Sequence, residues 1–343
     1  MEMKAKRSRR LGKKVLVASL TLLVCLGIGE LFVRARFGSP LPERLPILEV
    51  RANPFRGWEM VGGKVHYTYR YPVHLNALGL RGKEIGEKDS EELRILALGD
   101  SLIYGQGVPD DATLPAYLEA ELARSLGDGR PVTVVNSGHR AYDTRQELGL
   151  LEELGERIAP DVVILFWFGN DFFERDIDGT FERLSESGPI AFDVGAPMEG
   201  GVELRWKLRQ LLRRSALLMF IHDLVGKEQL DELTDEVARE GLERLRGYLE
   251  RFRSLADERG FLPIVCVIPT AASVRAGRRD REPDRSVLRL AGEMGFSTFD
   301  LFEPLASIEG GPPTVPFDGH YAPEANHAMA EGLAAFLAGL LSD

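Results

Sequence analysis

The fold of this chain is decided by one short stretch, Arg94-Ile-Leu-Ala-Leu-Gly-Asp-Ser101. Its apolar run, Ile95 to Leu98, is too short for a helix and is bounded by charge before it and by Gly99 after it, which predicts a buried parallel strand. Gly99 permits a sharp turn. Ser101 then follows the carboxyl end of a strand, where open α/β sheets bind ligands. Taken alone, the tripeptide Gly-Asp-Ser is explained more simply as a tight turn with a capping serine.

Strands and helices alternate along the rest of the chain. The patterns predict strands near 94–99, 132–138, 161–168, 261–268 and 297–302, and helices near 112–126, 144–158, 234–259, 284–295 and 323–341. This alternation predicts an α/β fold with a doubly wound, flavodoxin-like parallel sheet inside an α/β/α sandwich of three layers. Right-handed crossovers would place the strand ends, and the motifs that follow them, on one edge.

Three further polar motifs accompany this rhythm. Asn136-Ser-Gly138 ends the second predicted strand, Gly169-Asn-Asp171 ends the third, and Asp318-Gly-His320 precedes the last predicted helix. In this order the chain resembles the SGNH (GDSL-type) hydrolase family, a resemblance that covers roughly residues 90–175 and 261–340. The four letters of the family name map onto Ser101, Gly138, Asn170 and His320.

The resemblance implies an ester-cleaving enzyme that needs no cofactor. Ser101 would be the nucleophile, His320 its base, and Asp318 the group that orients the imidazole. The backbone N–H groups of Ser101 and Gly138, with the side-chain amide of Asn170, would form the oxyanion hole. The family usually has D-x-x-H, whereas this chain is one residue shorter, as in some polysaccharide acetyltransferase relatives. That departure leaves the orienting role of Asp318 open.

Two other histidines compete for a role. His327 ends Glu324-Ala-Asn-His327, which keeps an acidic-x-x-His spacing, but it should lie inside the last helix and point along a helix face, so His320 is favoured. His139 is interpreted as a rim or structural residue. A metal site made of Asp318, His320 and His327 would lack further clustered ligands, so no metal is expected.

The N-terminal charge pattern predicts a membrane anchor. Residues 1–36 carry nine Lys/Arg and two Asp/Glu, a net charge of +7 against −10 for the whole chain, so the remainder carries −17. An acidic body argues against nucleic acid as a partner. The run Val15 to Val33 is 19 residues long and mostly apolar, which is long enough to span a bilayer. The positive-inside rule predicts a single-pass protein whose remaining domain lies outside the cytoplasm.

The alternative interpretations of this segment are a cleaved signal peptide and a lipoprotein. The apolar run is longer than a usual signal-peptide core, and no clear small-x-small site ends it. Cys25 is a possible lipoprotein site, but Val24 is a poor residue before it. Glu30 lies near the outer end of the span, where a charged side chain reaches water at little cost, and no function is assigned to it.

We divide the chain into residues 1–36 as a basic N-terminus with an anchor, 37–92 as a stalk with a leading strand, and 93–343 as the hydrolase-like domain, with a helical insertion at about 172–233. The alternation in Val65 to Val73 predicts one strand whose tyrosines pack or stack on a sugar. The run from Leu204 to Phe220 predicts a basic amphipathic helix, which is consistent with an ordinary surface helix, a lid or a membrane contact.

Three functions are consistent with these features. The first is a membrane-anchored serine esterase that acts outside the cytoplasm. The second is an O-acyltransferase of the same fold that modifies envelope carbohydrate. The third is a non-catalytic scaffold, against which the intact Ser101, Asn170 and His320 argue, because a scaffold needs none of these polar groups.

Overall fold

The structure, a computed structural model, describes residues 2–127, 129–193, 196–197, 208, 210–226, 235–279 and 282–342. In chain order its strands are β1 (Glu49–Asn53), β2 (Gly57–Met60), β3 (Val65–Thr68), β4 (Tyr71–His74), β5 (Leu93–Leu98), β6 (Val132–Asn136), β7 (Val162–Trp167), β8 (Ile190–Asp193), β9 (Ala196–Pro197), β10 (Leu262–Val267) and β11 (Ser297–Asp300). Its α-helices are α1 (Glu2–Phe37), α2 (Ser101–Tyr104), α3 (Leu114–Leu126), α4 (Thr144–Ile158), α5 (Ile177–Ser187), α6 (Ala216–Gly226), α7 (Asp235–Arg259), α8 (Ala271–Arg275), α9 (Asp284–Glu293), α10 (Phe302–Ala306) and α11 (Pro323–Leu340). The chain forms two compact units, one from Met1–Pro42 with Gly201–Asp231 and the other from Glu43–Gly200 with Glu232–Asp343.

The second unit is organised around a parallel sheet of five strands in the order β11-β10-β7-β5-β6. This is the flavodoxin-like order, and its switch point lies between β5 and β7. All six residues of β5 are buried. Leu96 and Leu98 pack into the cluster that contains α4, α7 and α9, whereas Ile95 and Ala97 pack into the cluster that contains α3 and α11. Burial on both faces confirms the predicted three-layer, doubly wound fold.

The predicted strands and helices of this sheet domain are confirmed, and their ends differ from the observed ends by no more than two residues. The agreement has a physical reason. A strand that is covered on both faces must be apolar throughout, and its flanking helices must be apolar on one face, so both periodicities are strong in the sequence.

Two expectations upstream of the sheet need correction. The single strand expected from Val65 to Val73 is wrong, because β3 and β4 pair antiparallel and the chain reverses at Tyr69 and Arg70. Tyr69 takes the left-handed φ of 51° at this turn, where no Gly, Asn or Pro marks a reversal in the sequence. The expected stalk is also shorter than predicted, since β1 and β2 form an antiparallel pair in which Trp58 and Met60 are buried.

The first unit contains α1 and α6. Residues Gly12–Phe37 of α1 form one helix that is long and apolar enough to cross a membrane. The single helix expected from Leu204 to Phe220 is wrong over its described part, because the chain turns at 213–215 and α6 begins at Ala216. Ser215 explains the break, since its Oγ accepts the Leu218 N–H at 3.1 Å in the manner of an N-cap. Residues 204–207 and 209 of that expectation lie outside the described residues.

Candidate active site

The chain turns directly from β5 into the short helix α2, and Ser101 is the first residue of that helix. Asp100 caps the helix, because its Oδ1 accepts the Leu102 N–H at 2.8 Å. Gly99 allows the close turn, since a Cβ at this position would lie 2.3 Å from Ile103 Cγ1. Ser101 therefore lies at the switch point of the sheet, with a backbone N–H that has no partner within the helix.

His320 faces Ser101 across this edge of the sheet. Its Nε2 lies 2.7 Å from Ser101 Oγ. Its Nδ1 is hydrogen-bonded to Asp318 Oδ1. A carboxylate only accepts, so Nδ1 carries the proton and Nε2 presents the lone pair to the serine hydroxyl. The three side chains form one chain of hydrogen bonds from carboxylate to hydroxyl.

The short Asp318-Gly-His320 spacing is accommodated by Gly319, which has a φ of 92°, a region that favours glycine. The backbone reversal brings both flanking side chains to the same side, and Asp318 Oδ1 also accepts the His320 N–H at 3.3 Å. Val315 N–H donates to the His320 carbonyl at 2.7 Å and fixes the loop. The glycine between the acid and the histidine thus replaces the extra residue of the longer family spacing.

Tyr69 is a member of the site that sequence reasoning missed. It lies at the turn between β3 and β4, only 6 % exposed, and its hydroxyl donates to Asp318 Oδ2. Burial would raise the pKa of Asp318, but the charge of His320 and the hydrogen bonds from His320 and Tyr69 lower that pKa to about 2. The signal for it in the sequence is the tyrosine-rich run from Val65 to Val73, whose tyrosines are expected only to pack or to stack on a sugar.

The two other residues expected at the oxyanion hole lie beside the same turn. Asn170 is in the 3-10 helix Gly169–Phe172 that follows β7, and its Nδ2 donates to Asp100 Oδ2 at 2.7 Å. This bond uses one amide hydrogen and orients the other. Gly138 N–H donates to Asn136 Oδ1 at 3.0 Å, so its donation to a substrate oxygen requires this N–H to be shared or released.

Gly138 also has a packing requirement. A Cβ there would lie 2.0 Å from the backbone N of Tyr104 and 2.5 Å from the carbonyl carbon of Ile103. Both atoms belong to the backbone of α2, so they cannot move aside as a flexible side chain would. The absence of a side chain at this position therefore allows the end of β6 to approach the helix that carries Ser101.

Arg81 holds the loop after Ser101 and was also missed. Its guanidinium donates to the carbonyls of Tyr104 and Gly105, both at 2.7 Å, to that of Val108 at 2.8 Å, and to Asp110 Oδ1 at 2.8 Å. Its backbone forms a β-bridge with Asn136. Arg81 therefore connects the end of α2 with the end of β6.

A cluster of buried acids lies behind Asn170, formed by Asp100, Asp143, Glu147 and Asp171. Burial raises the pKa of Glu147, and the charges of Asp171 and Asp100 raise it further. Burial likewise raises the pKa of Asp171, with the charge of Asp100 adding to the effect. Both acids are therefore harder to ionise than they would be in water.

The other two histidines lie elsewhere in this unit. His327 Nε2 lies 2.8 Å from Glu121 Oε1, on the surface between α11 and α3. Asp318, His320 and His327 therefore do not lie together. Among the described residues, the one group of side chains that could hold a metal ion is Glu121, His327 and Glu331. His139 is buried against Tyr142 with ring centroids 4.4 Å apart, and burial, with the charge of Arg56, lowers its pKa to about 3. Of its two interpretations, the structural one fits this position, because the ring is not at a rim.

The model of the GDSL-like lipase/acylhydrolase family matches residues 97–335. A search of curated proteins gives no match. Among solved structures, the chain is similar to an acetyl xylan esterase, AlAXEase, with 11 % identity over 71 % of this chain and 99 % of that chain and a TM-score of 0.42. It is also similar to a lipase/acylhydrolase from Enterococcus faecalis, with 16 % identity over 72 % of this chain and 96 % of that chain and a TM-score of 0.39.

Proposed function

This chain belongs to the GDSL-like lipase/acylhydrolase family and is an ester-bond hydrolase, and we propose that it cleaves its substrate through an acyl-enzyme on Ser101. The observation that carries the proposal is the hydrogen-bond chain from Asp318 through His320 to Ser101 Oγ. A serine hydroxyl is a weak nucleophile unless an adjacent base takes its proton, and His320 Nε2 at 2.7 Å is within reach for that transfer.

In the proposed first half-reaction, Ser101 Oγ bonds to the ester carbonyl carbon while its proton passes to His320 Nε2. The carbonyl oxygen becomes an oxyanion, for which the Ser101 N–H and the second amide hydrogen of Asn170 are available. The carbon–oxygen bond to the leaving alcohol then breaks, and His320 gives that alcohol the proton. Asp318 stabilises the imidazolium in between and does not itself take the proton.

In the second half-reaction, water takes the place of the leaving alcohol. His320 removes a proton from the water as it attacks the acyl carbon, and the acid is released when Ser101 regains its proton. A sugar hydroxyl in the place of water would make the chain an O-acyltransferase with the same residues. The Asp318-Gly-His320 spacing, which resembles that of some polysaccharide acetyltransferases, is the feature that favours this second function.

We further propose that α1 anchors the chain in a membrane, with the hydrolase domain outside the cytoplasm. The length and apolar composition of Gly12–Phe37 support the anchor. The basic residues before it support the orientation. A reporter fused after Asp343 should be active only outside the cytoplasm, and a reporter that is active only inside it would contradict the orientation.

The nucleophile is tested by treating the full chain, in detergent, with a fluorophosphonate and mapping the modified peptide. We expect the label on Ser101, and we expect Ser101→Ala to lose both the label and turnover of a short-chain acyl ester. Ser125→Ala, a change at an exposed position of α3, serves as the matched control. Full turnover by Ser101→Ala would end the serine mechanism. Adding an oligosaccharide acceptor to the same assay distinguishes acyl transfer from hydrolysis by the product formed.

A further inference from the structure

Glu30 in α1 is bound by four hydrogen-bond donors. Its Oε1 accepts from Arg34 Nε at 2.6 Å and from the Ala216 N–H at 3.0 Å. Its Oε2 accepts from Ser215 Oγ at 2.7 Å and from the Leu217 N–H at 2.9 Å. A carboxylate near an apolar span is costly unless it is paired, and this one is fully paired. Three of the four donors come from the start of α6, so Glu30 fastens α6 to α1.

Further contacts align α6 with the outer end of α1. The rings of Phe37 and Phe220 stack with centroids 5.1 Å apart. Gly29 lies against the Leu217 side chain, since a Cβ on Gly29 would be 3.3 Å from Leu217 Cδ2. The negative charge of Glu30 also lies at the positive end of the α6 dipole, which stabilises the helix. The two helices are therefore packed along a seam that begins within the apolar span.

The face of α6 that points away from this seam is also apolar. Ala216 and Met219 are buried, whereas Leu218, Ile221 and Leu224 are 45 %, 46 % and 63 % exposed. His222 and Asp223 give α6 a polar edge, with side chains that are 66 % and 39 % exposed. A helix with an exposed apolar face and a polar edge is typical of one that lies in a membrane interface. The neighbouring α1 also exposes apolar side chains near its outer end, among them Leu31 and Phe32, and Leu211 is exposed before the turn.

We propose that residues 210–226 form a membrane-docking segment whose exposed leucines and isoleucine contact the outer leaflet of a phospholipid bilayer beside α1. The proposal rests on the proposed anchoring by α1. The occupant is lipid because α6 starts beside Glu30, which lies inside the helix that is apolar enough to cross a membrane. The segment is then a second membrane contact rather than a lid, and the mature chain must retain Glu30.

The test uses the full chain in single-copy phospholipid nanodiscs, with a maleimide fluorophore on one cysteine. Cys25 is exposed in α1 and reports on the anchor, while Cys266 is buried and stays unlabelled. In a Cys25→Ser background, Leu218→Cys and Leu224→Cys report on the docking segment, and Glu258→Cys on an exposed helical face reports on bulk water. Brominated acyl chains should quench the fluorophore when it is attached at position 25, 218 or 224, but not at position 258. Aqueous iodide should quench the fluorophore at position 258 and not at the other three.

The outcomes separate the docking from the anchor. Quenching of Cys25 by brominated lipid without quenching at 218 and 224 would overturn the docking and leave the anchor intact. If brominated lipid did not quench the fluorophore at Cys25, the proposed anchoring by α1 would be contradicted. Protection of 218 and 224 from both quenchers would indicate a protein partner and would also overturn the proposal. Glu30→Ala should lower lipid quenching at position 224, whereas Thr21→Ala, an exposed change in the same helix, should not.

Discussion

Two histidines seven residues apart, His320 and His327, each lie beside a carboxylate and a tyrosine, but only His320 also contacts a serine. Each contacts a carboxylate, Asp318 or Glu121, and each has a tyrosine nearby. His320 uses both ring nitrogens, one towards the carboxylate and one towards Ser101 at 2.7 Å. The Nε2 atom of His327 faces two carboxylates, Glu121 at 2.8 Å and Glu331 at 3.9 Å. An acid beside a histidine is therefore not sufficient for catalysis, because the imidazole must also present a free lone pair to a nucleophile.

The largest expected effect in this comparison is that of His320→Ala. Nucleophile and base act as a unit, so we expect kcat to fall by up to about 10⁶-fold, the loss seen when a serine hydrolase is deprived of its base. The measurement is the initial rate on a short-chain acyl ester, with folding checked by circular dichroism. If His320→Ala kept its activity while His327→Ala lost it, the base would lie on α11 instead.

Asp318→Asn should have the next largest effect, about 10⁴-fold on kcat, because an amide favours the wrong imidazole tautomer. The matched change Glu121→Gln beside His327 should leave kcat within a few-fold. Equal losses in both variants would contradict a specific orienting role of Asp318.

Asp318 also predicts a dependence of stability on pH. Its folded pKa of about 2 lies below the ordinary 3.8, so its charge stabilises the fold above pH 3.8, and this contribution is lost as the pH falls towards 2. Asp318→Asn lacks this contribution, so its deficit in unfolding free energy should be largest above pH 3.8 and should shrink below it. A deficit that is independent of pH would contradict the assignment. The measurement is denaturant unfolding at several pH values.

The sequence allowed the sheet and its motifs to be predicted because they are local. The buried strand Leu93–Leu98 and the glycine after it carry their own signal. Tyr69 and Arg81 were missed because their contacts join the loop after β3 and the stretch after β4 to residues up to 249 positions away. Neither an apolar pattern nor a motif spacing in the sequence indicates a contact between residues so far apart. Gly319 shows the same limit, because its φ of 92° explains the short motif only once the loop is seen.

Tyr69→Phe should sharpen the comparison further, because it removes one hydroxyl and leaves the ring. A hydrogen bond to a charged group contributes about 1.5–3 kcal/mol, so we expect kcat to fall by about 10- to 100-fold. KM should change little, since Tyr69 acts through Asp318. Loss of this donor should raise the pKa of Asp318 and move the acid loss of stability to higher pH. Tyr117→Phe, the matched change beside His327, should do neither, and equal behaviour of the two variants would give Tyr69 a packing role only.

The smallest expected effect is that of His327→Ala. The His327 side chain is 40 % exposed, and Glu121 retains Arg124 as an ion-pair partner when the imidazole is removed. An exposed pair contributes about 0–1 kcal/mol, so the free energy of unfolding should fall by no more than that, with kcat and KM unchanged. The comparison requires this small effect, because each histidine has its own carboxylate and its own tyrosine nearby, and only His320 also contacts a serine. A fall in kcat at full stability would show that the surface pair communicates with Ser101, and the two histidines would then belong to one site.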